Sequence, residues 1–101
     1  AANQIGYGLR VITMNHPDLP TSMVNPKIVS DAGPEIAEVE GCLSIPGERF
    51  LVSRQSAIEV NWQDGFGTHL SRCFGDLAAR IIQHEIDHLD GILISTKGTK
   101  V

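Results

Sequence analysis

The sequence predicts an α+β domain, with small antiparallel β-sheets packed around one central helix. Three observations carry this. Between Ser56 and Gln63, Ile58, Val60 and Trp62 alternate with Glu59 and Asn61, the period of a half-buried strand. The turn "DGFG" (64–67) then leads into "THLSRCF" (68–74), which suits the returning half of a hairpin. Finally, "GDLAARIIQHEIDHLDG" (75–91) holds fourteen residues free of Gly and Pro between Asp76 and Gly91. That segment predicts a helix, with Asp76 as its N-cap and Gly91 as its C′ stop.

The remaining elements follow in order. "YGLRVITMN" (7–15) is a short strand ending near His16-Pro17, and "HPDLPTS" (16–22) is a loop punctuated by two prolines. "MVNPKIVS" (23–30) is extended, with Pro26 suited to a sheet edge or a bulge. "DAGPEIAEVEGCLSIPG" (31–47) is bounded by Gly and Pro and is expected to be mostly irregular. Trp62 is expected in the core, His16 in a loop, and Cys73 as a small buried thiol. Neither a repeat nor a domain boundary is visible, so 1–101 is expected to form a single domain.

Composition excludes several function classes. The chain is 42% hydrophobic and 20% charged, the balance of a globular domain. Its net charge of −4 provides no basic footprint for dedicated nucleic-acid binding. The apolar runs are too short to span a membrane, and no signal peptide is visible. Two cysteines, Cys42 and Cys73, make no disulfide framework and fit a reduced, intracellular setting. The chain begins "AANQIG" without an initiator Met, as expected of a processed chain or a piece of a longer one.

The chemistry concentrates in the helix. At about 100° per residue, His84 and His88 fall about 40° apart on one edge of the apolar face, and Glu85 lies inside that face. Arg80, Gln83, Asp87 and Asp90 fill the opposite, polar side. A glutamate in an apolar stripe is unusual unless it is paired or working. Two imidazoles one turn apart can hold one divalent metal, and the carboxylate between them then stands beside the water such a metal polarises. This is the donor pattern of a hydrolytic metal site.

A catalytic metal usually takes three protein ligands. The segment after His88, "LDGILISTKGTKV", contains no His, Cys or Glu, and Asp90 is on the wrong side of the helix. The third ligand is therefore expected upstream, from His16, Glu40, Cys42, His69 or Cys73. Cys42 stands out by context, since "VEGCLSIPG" surrounds it with Gly and Pro and lets the backbone approach a metal closely. His69 and Cys73 remain the alternatives.

Three stretches of the chain resemble the motifs of the peptide deformylase family. "EGCLS" (40–44) equals its second motif, "HEIDH" (84–88) fits its HExDH third motif, and "AANQ" (1–4) is similar to the end of its first, GxGxAAxQ. "NP" (25–26) and "IPGERFLVSR" (45–54) sit in family-like places. The resemblance implies removal of the formyl group from N-formylmethionyl peptides, releasing formate. It implies Cys42, His84 and His88 as metal ligands, with Fe²⁺ as the native ion and Zn²⁺, Ni²⁺ or Co²⁺ able to replace it. Glu85 would carry the proton, and Gln4 with the Leu43 backbone N–H would bind the formyl oxygen. Gly41 and Ile81 would border the methionine side chain, and Arg49 would touch the peptide beyond it.

The implied setting is a monomer in the cytoplasm of a bacterium or a phage-infected host, or in an organelle, with transient work near the ribosome exit and no nucleic-acid or membrane partner. Two other readings compete. An HExxH zinc endopeptidase is opposed by the missing downstream ligand. An inactive metal-binding fragment is opposed by the intact Glu85 and favoured by the absent front of the first motif. Arg54 is expected to be solvated or paired with an acid such as Glu40, and Asp87 to make a structural salt bridge.

Overall fold

The computed structural model describes residues 2–5, 9–41, 48–92 and 97–100. The elements that lie within the described residues are, in order, β1 (Ala2–Ile5), β2 (Leu9–Thr13), β3 (Ser22–Asp31), β4 (Glu35–Gly41), β5 (Arg49–Gln55), β6 (Ala57–Gln63), β7 (His69–Gly75), α1 (Asp76–Leu89) and β8 (Thr99–Lys100). The strands form a five-stranded sheet, ordered β1-β2-β3-β6-β7, and a three-stranded sheet, ordered β4-β5-β8. Every pairing is antiparallel. The α+β expectation holds, and no described helix is long and apolar enough to cross a membrane.

The larger sheet and the apolar face of α1 make the main core. Ile12, Met23, Ile58, Val60 and Ile82 are fully buried there, with Trp62 and Phe74 beside them. The alternation seen in β6 is the cause: Ile58, Val60 and Trp62 all face the helix. The two rings of Trp62 and Phe74 lie 5.8 Å apart in a tilted pair, from paired strands β6 and β7. On the other side of the helix, Phe50 and Val52 of β5 form a small second cluster. The helix is thus covered by both sheets.

Sandwiching corrects the expectation for the polar side of α1. Arg80 and Gln83 are buried, against the smaller sheet. Gln83 extends the backbone ladder of β5, accepting from Gln55 N–H at 2.9 Å and donating to Gln55 O at 2.7 Å. A primary amide can do both at once, as a peptide group does.

Three further local expectations are corrected. The described part of the segment 31–47, residues 31–41, is not mostly irregular, because Glu35–Gly41 forms β4 in register with β5. Almost every residue of β4 is solvent-facing, so no apolar alternation announces it. Cys73 is exposed rather than buried. Its neighbour Phe74 points into the core, and successive strand residues face opposite sides. The N-cap is Gly75, with no side-chain cap bond, and Asp76 is the first helical residue at φ +52°. Strand β7 runs straight into α1, and the Asp76 N–H still bonds Ser56 O at 2.9 Å. That turn needs a left-handed residue, which Asp tolerates better than most.

Two expectations of local geometry hold. Register shifts between Val24 and Lys27 make a bulge around Pro26 in β3, with Asn25 at φ +50°. At the far end of the helix, Gly91 sits at φ +75°. Its N–H bonds His88 O at 3.1 Å and the Ile92 N–H bonds Asp87 O at 2.8 Å. This paired closure is the Schellman motif, and it ends the helix just after His88.

Candidate metal centre

The last two turns of α1 bring His84, Glu85 and His88 together. One ligand atom from each lies within 4.8 Å of the others, and the two imidazole centroids are 4.4 Å apart. Among the described His, Cys, Asp and Glu residues, this is the group close enough to share a metal ion. The C-terminal end of a helix also carries partial negative charge, which favours a cation.

Across from the histidines, β4 supplies Glu40. Its Oε1 lies 3.0 Å from His84 Nδ1. The same carboxylate accepts from Arg54 Nε at 2.6 Å, Arg54 Nη2 at 3.0 Å and Arg80 Nη1 at 2.9 Å. Burial alone would raise the Glu40 pKa, but the hydrogen bonds and charges of His84 and Arg54 outweigh it and bring it down to about 2. Glu40 is therefore an acceptor throughout the working pH range. His84 Nδ1 must carry the proton it shares with Glu40, which leaves the Nε2 lone pair for a metal. A carboxylate behind a ligating imidazole fixes both tautomer and ring orientation in this way.

Arg54 links this carboxylate to the helix. Its side chain is 1% exposed, and Nη1 donates to Asp87 Oδ2 at 2.8 Å. Lys97 donates to the same Asp87 oxygen at 2.8 Å. Burial alone would lower the Arg54 pKa, but hydrogen bonds and charge from Glu40 and Asp87 raise it, so the guanidinium stays charged. His88 moves the other way. Burial and the charge of His84 lower its pKa against the opposing pull of Glu85 and Asp87, which favours the neutral, ligating imidazole.

A cleft of about 660 Å³ opens in front of this group. One wall is β4 from Glu38 to Gly41, and the other is Leu77, Arg80, Ile81, His84 and Glu85 of α1. Leu77 is 56% exposed, a large apolar side chain offered to the opening.

The expected site residues distribute as follows. His84, Glu85 and His88 converge, and Gly41 and Ile81 line the cleft beside them. Arg49 is outside that lining, at the start of β5 in register with Gly41. Gln4 lies in β1, in register with Arg10. Cys42 and Leu43 lie outside the described residues. Of the other candidate ligands, His16 is in a loop, where Nδ1 accepts from Asp18 N–H at 3.1 Å. His69 and Cys73 are exposed on β7, and Glu40 stands behind His84 rather than beside both imidazoles.

Sequence reasoning overlooked Arg80, which it left on a solvated face. The available signal was its i, i+4 relation to His84 on a helix that a second sheet has to cover.

Comparison with known proteins shows the family to which the chain belongs. The family model described as polypeptide deformylase matches residues 1–100. A peptide deformylase of Pelotomaculum thermopropionicum is 46% identical over the whole chain, which covers 64% of that protein. Peptide deformylase 2 of a Nostoc species is 51% identical over 73% of the chain and 41% of its own length. Among solved structures, the Thermotoga maritima peptide deformylase superposes with a TM-score of 0.79 at 32% identity, over 95% of this chain and 65% of that one. A Synechococcus elongatus peptide deformylase in complex with actinonin gives 0.76 at 40% identity, over 94% and 52%. The chain thus spans between 41% and 65% of the length of these relatives.

Proposed function

Because the chain belongs to the polypeptide deformylase family, we propose that it hydrolyses the formamide of N-formylmethionyl peptides, giving formate and a free amino terminus. The observation that carries the reading is the His84, Glu85 and His88 group, of which His84 and Glu85 line the cleft. The donor set fits a divalent metal, since two imidazoles one turn apart converge and His84 is backed by an ionised carboxylate.

His84 and His88 would hold the metal, with Cys42 as the third ligand. Fe²⁺ is the proposed native ion, with Zn²⁺, Ni²⁺ or Co²⁺ as substitutes. When bound, the metal would supply Lewis-acid polarisation of the formyl carbonyl and of the attacking water.

The chain's own residues do the rest. Glu85 accepts a proton from the water as it attacks and passes it to the leaving amine, so one carboxylate serves both halves of the reaction. The Gln4 amide and the Leu43 N–H donate to the formyl oxygen, where negative charge develops. Gly41 and Ile81 border the methionine side chain, and Arg49 meets the peptide beyond it. The polypeptides in question are nascent chains, met transiently near the ribosome exit by a monomer. The setting is the cytoplasm of a bacterium or a phage-infected host, or an organelle.

The test is anaerobic formate release from a formyl-Met tripeptide after loading the chain with Fe²⁺ or Ni²⁺, with the unformylated peptide as control. Formate without internal cleavage supports the proposal. Internal cleavage without formate would make it a peptidase, and one bound metal per chain with neither product would reject the assignment for this chain.

A further inference from the structure

Outside the deformylase motifs, Arg80 is a helix side chain that lines the cleft and bonds to its opposite wall. Among the described residues, strand β4, one wall of the cleft, is an edge strand that pairs with β5 alone. Ladder bonds fix its register, but its distance from α1, the opposite wall, needs another tie. Arg80 supplies one. It is 8% exposed and makes five donor contacts. Nε donates to Glu38 at 2.8 Å, Nη1 to Glu40 at 2.9 Å and to Val52 O at 3.2 Å, and Nη2 to Ile36 O at 3.0 Å and Val52 O at 2.8 Å. These account for all five N–H groups of a guanidinium. Three of the five go to β4, at Ile36, Glu38 and Glu40, and two to β5 behind it. Arg80 is itself part of the helix wall, next to Ile81, so its guanidinium spans from one wall to the other.

We propose that Arg80 is a positioning residue that fixes the β4 wall against α1, and so determines which side chain the cleft accepts. The inference rests on the deformylase reading for the identity of the ligand, a formylated amino-terminal residue. Lysine at this position keeps the charge but has three donors on one nitrogen, with no rigid fork to span two strands. With Lys there, the wall loses its fixed spacing and the cleft loses its ability to tell a long apolar side chain from a short one.

A purely structural role predicts something different. Partial unfolding lowers the binding-competent fraction and weakens every ligand by the same factor, whereas a displaced wall changes the ratio between ligands. The experiment therefore reads a ratio. Formyl-methionyl-alanine and formyl-alanyl-alanine are titrated into the metal-free chain and followed by backbone amide NMR shifts, in wild type and Arg80→Lys.

The expected result is wild-type preference for the methionyl peptide of about tenfold, the order a few methylenes confer in an apolar site. In Arg80→Lys that preference should fall at least about threefold, with the fold intact by circular dichroism. If Arg80→Lys does not fold, Glu38→Gln severs one bond of the clasp from its exposed end, and the ratio should fall there in the same direction. An unchanged ratio in the folded variant, or a wild type that binds both peptides alike, overturns the inference. Formate release is measured separately on the metal-loaded wild type, so a failure of the deformylase reading shows there and leaves the ratio informative.

Discussion

Glu40 Oε1 and His84 Nδ1 lie 3.0 Å apart, across the line where β4 meets α1. The two residues are 44 positions apart in sequence, one opening the motif centred on Cys42 and the other beginning the helical pair. The contact makes the tautomer of one candidate ligand depend on a carboxylate from the opposite wall. Replacing Glu40 with Gln keeps the size but removes the charge, and an amide can turn its NH₂ toward Nδ1. Metal affinity should fall about 10–100-fold, the usual effect of losing a carboxylate behind a ligating His. Competition against a chelator of known affinity checks this, and unchanged affinity would mean the contact does not orient His84.

The same residue predicts an acid limb in stability. The Glu40 pKa lies at about 2 in the folded chain against 4.5 for the free side chain. A depressed folded pKa means the folded state holds the ionised form more tightly. The contribution is therefore fully present above about pH 4.5 and is lost as pH falls through that value toward 2. Urea midpoints of the metal-free chain between pH 6 and 2.5 should fall more steeply in wild type than in Glu40→Gln. Parallel profiles would show that other carboxylates carry the acid transition.

The core prediction concerns Ile82, which is fully buried between the larger sheet and the helix. Ile82→Ala removes three carbons from a packed cluster and should destabilise by about 2–5 kcal/mol, the range set by transfer plus cavity. Thermal or urea melts of the metal-free chain measure it. A loss under about 1 kcal/mol would mean the site collapses freely, unlike a close-packed interior.

How much of this was legible beforehand depends on what each element uses to hold itself. The hairpin of β6 and β7 and the helix α1 are built on apolar periodicity, which a sequence displays directly, and both lie where Ile58, Val60, Trp62 and the Asp76–Gly91 interval placed them. Strand β4 is held by its ladder to β5 and by charged contacts from Arg80 and Arg54, so its faces carry no such period. Long-range polar contacts of the same kind, ion pairs for Arg80 and backbone hydrogen bonds for Gln83, hid the burial of both, because a helix wheel assigns polar residues to solvent unless a second sheet is already known. Cys73 was misread for a simpler reason, its parity relative to Phe74. At the site, His84, Glu85 and His88 were legible because they share one helix, whereas the arginines behind Glu40 come from separate elements.

Gly91 tests the helix stop beside His88. Its φ of +75° is easy for glycine and costly for any residue with a Cβ. Among the described residues, no heavy atom beyond its chain neighbours lies within 4 Å of a Cβ built there, so Gly91→Ala reads the backbone cost. The expected loss is about 1–2 kcal/mol, with the two closing bonds to His88 O and Asp87 O weakened. A melt shift smaller than about 0.5 kcal/mol would mean the helix simply frays at this end.

Glu85 separates binding from turnover. One of its carboxylate oxygens lies within 4.8 Å of a ring nitrogen of each imidazole, in the wall of the cleft. Gln at this position keeps the shape and can hydrogen-bond, but it cannot accept a proton from water or return one to an amine. The metal content of Glu85→Gln should therefore match wild type, because Cys42, His84 and His88 are the proposed ligands. Formate release should drop about 10²–10⁴-fold, the contribution typical of a positioned general acid–base. Metal analysis and single-turnover formate assays on the same sample distinguish the outcomes. Loss of metal together with activity would make Glu85 a ligand instead, and retained turnover would assign the proton to another group.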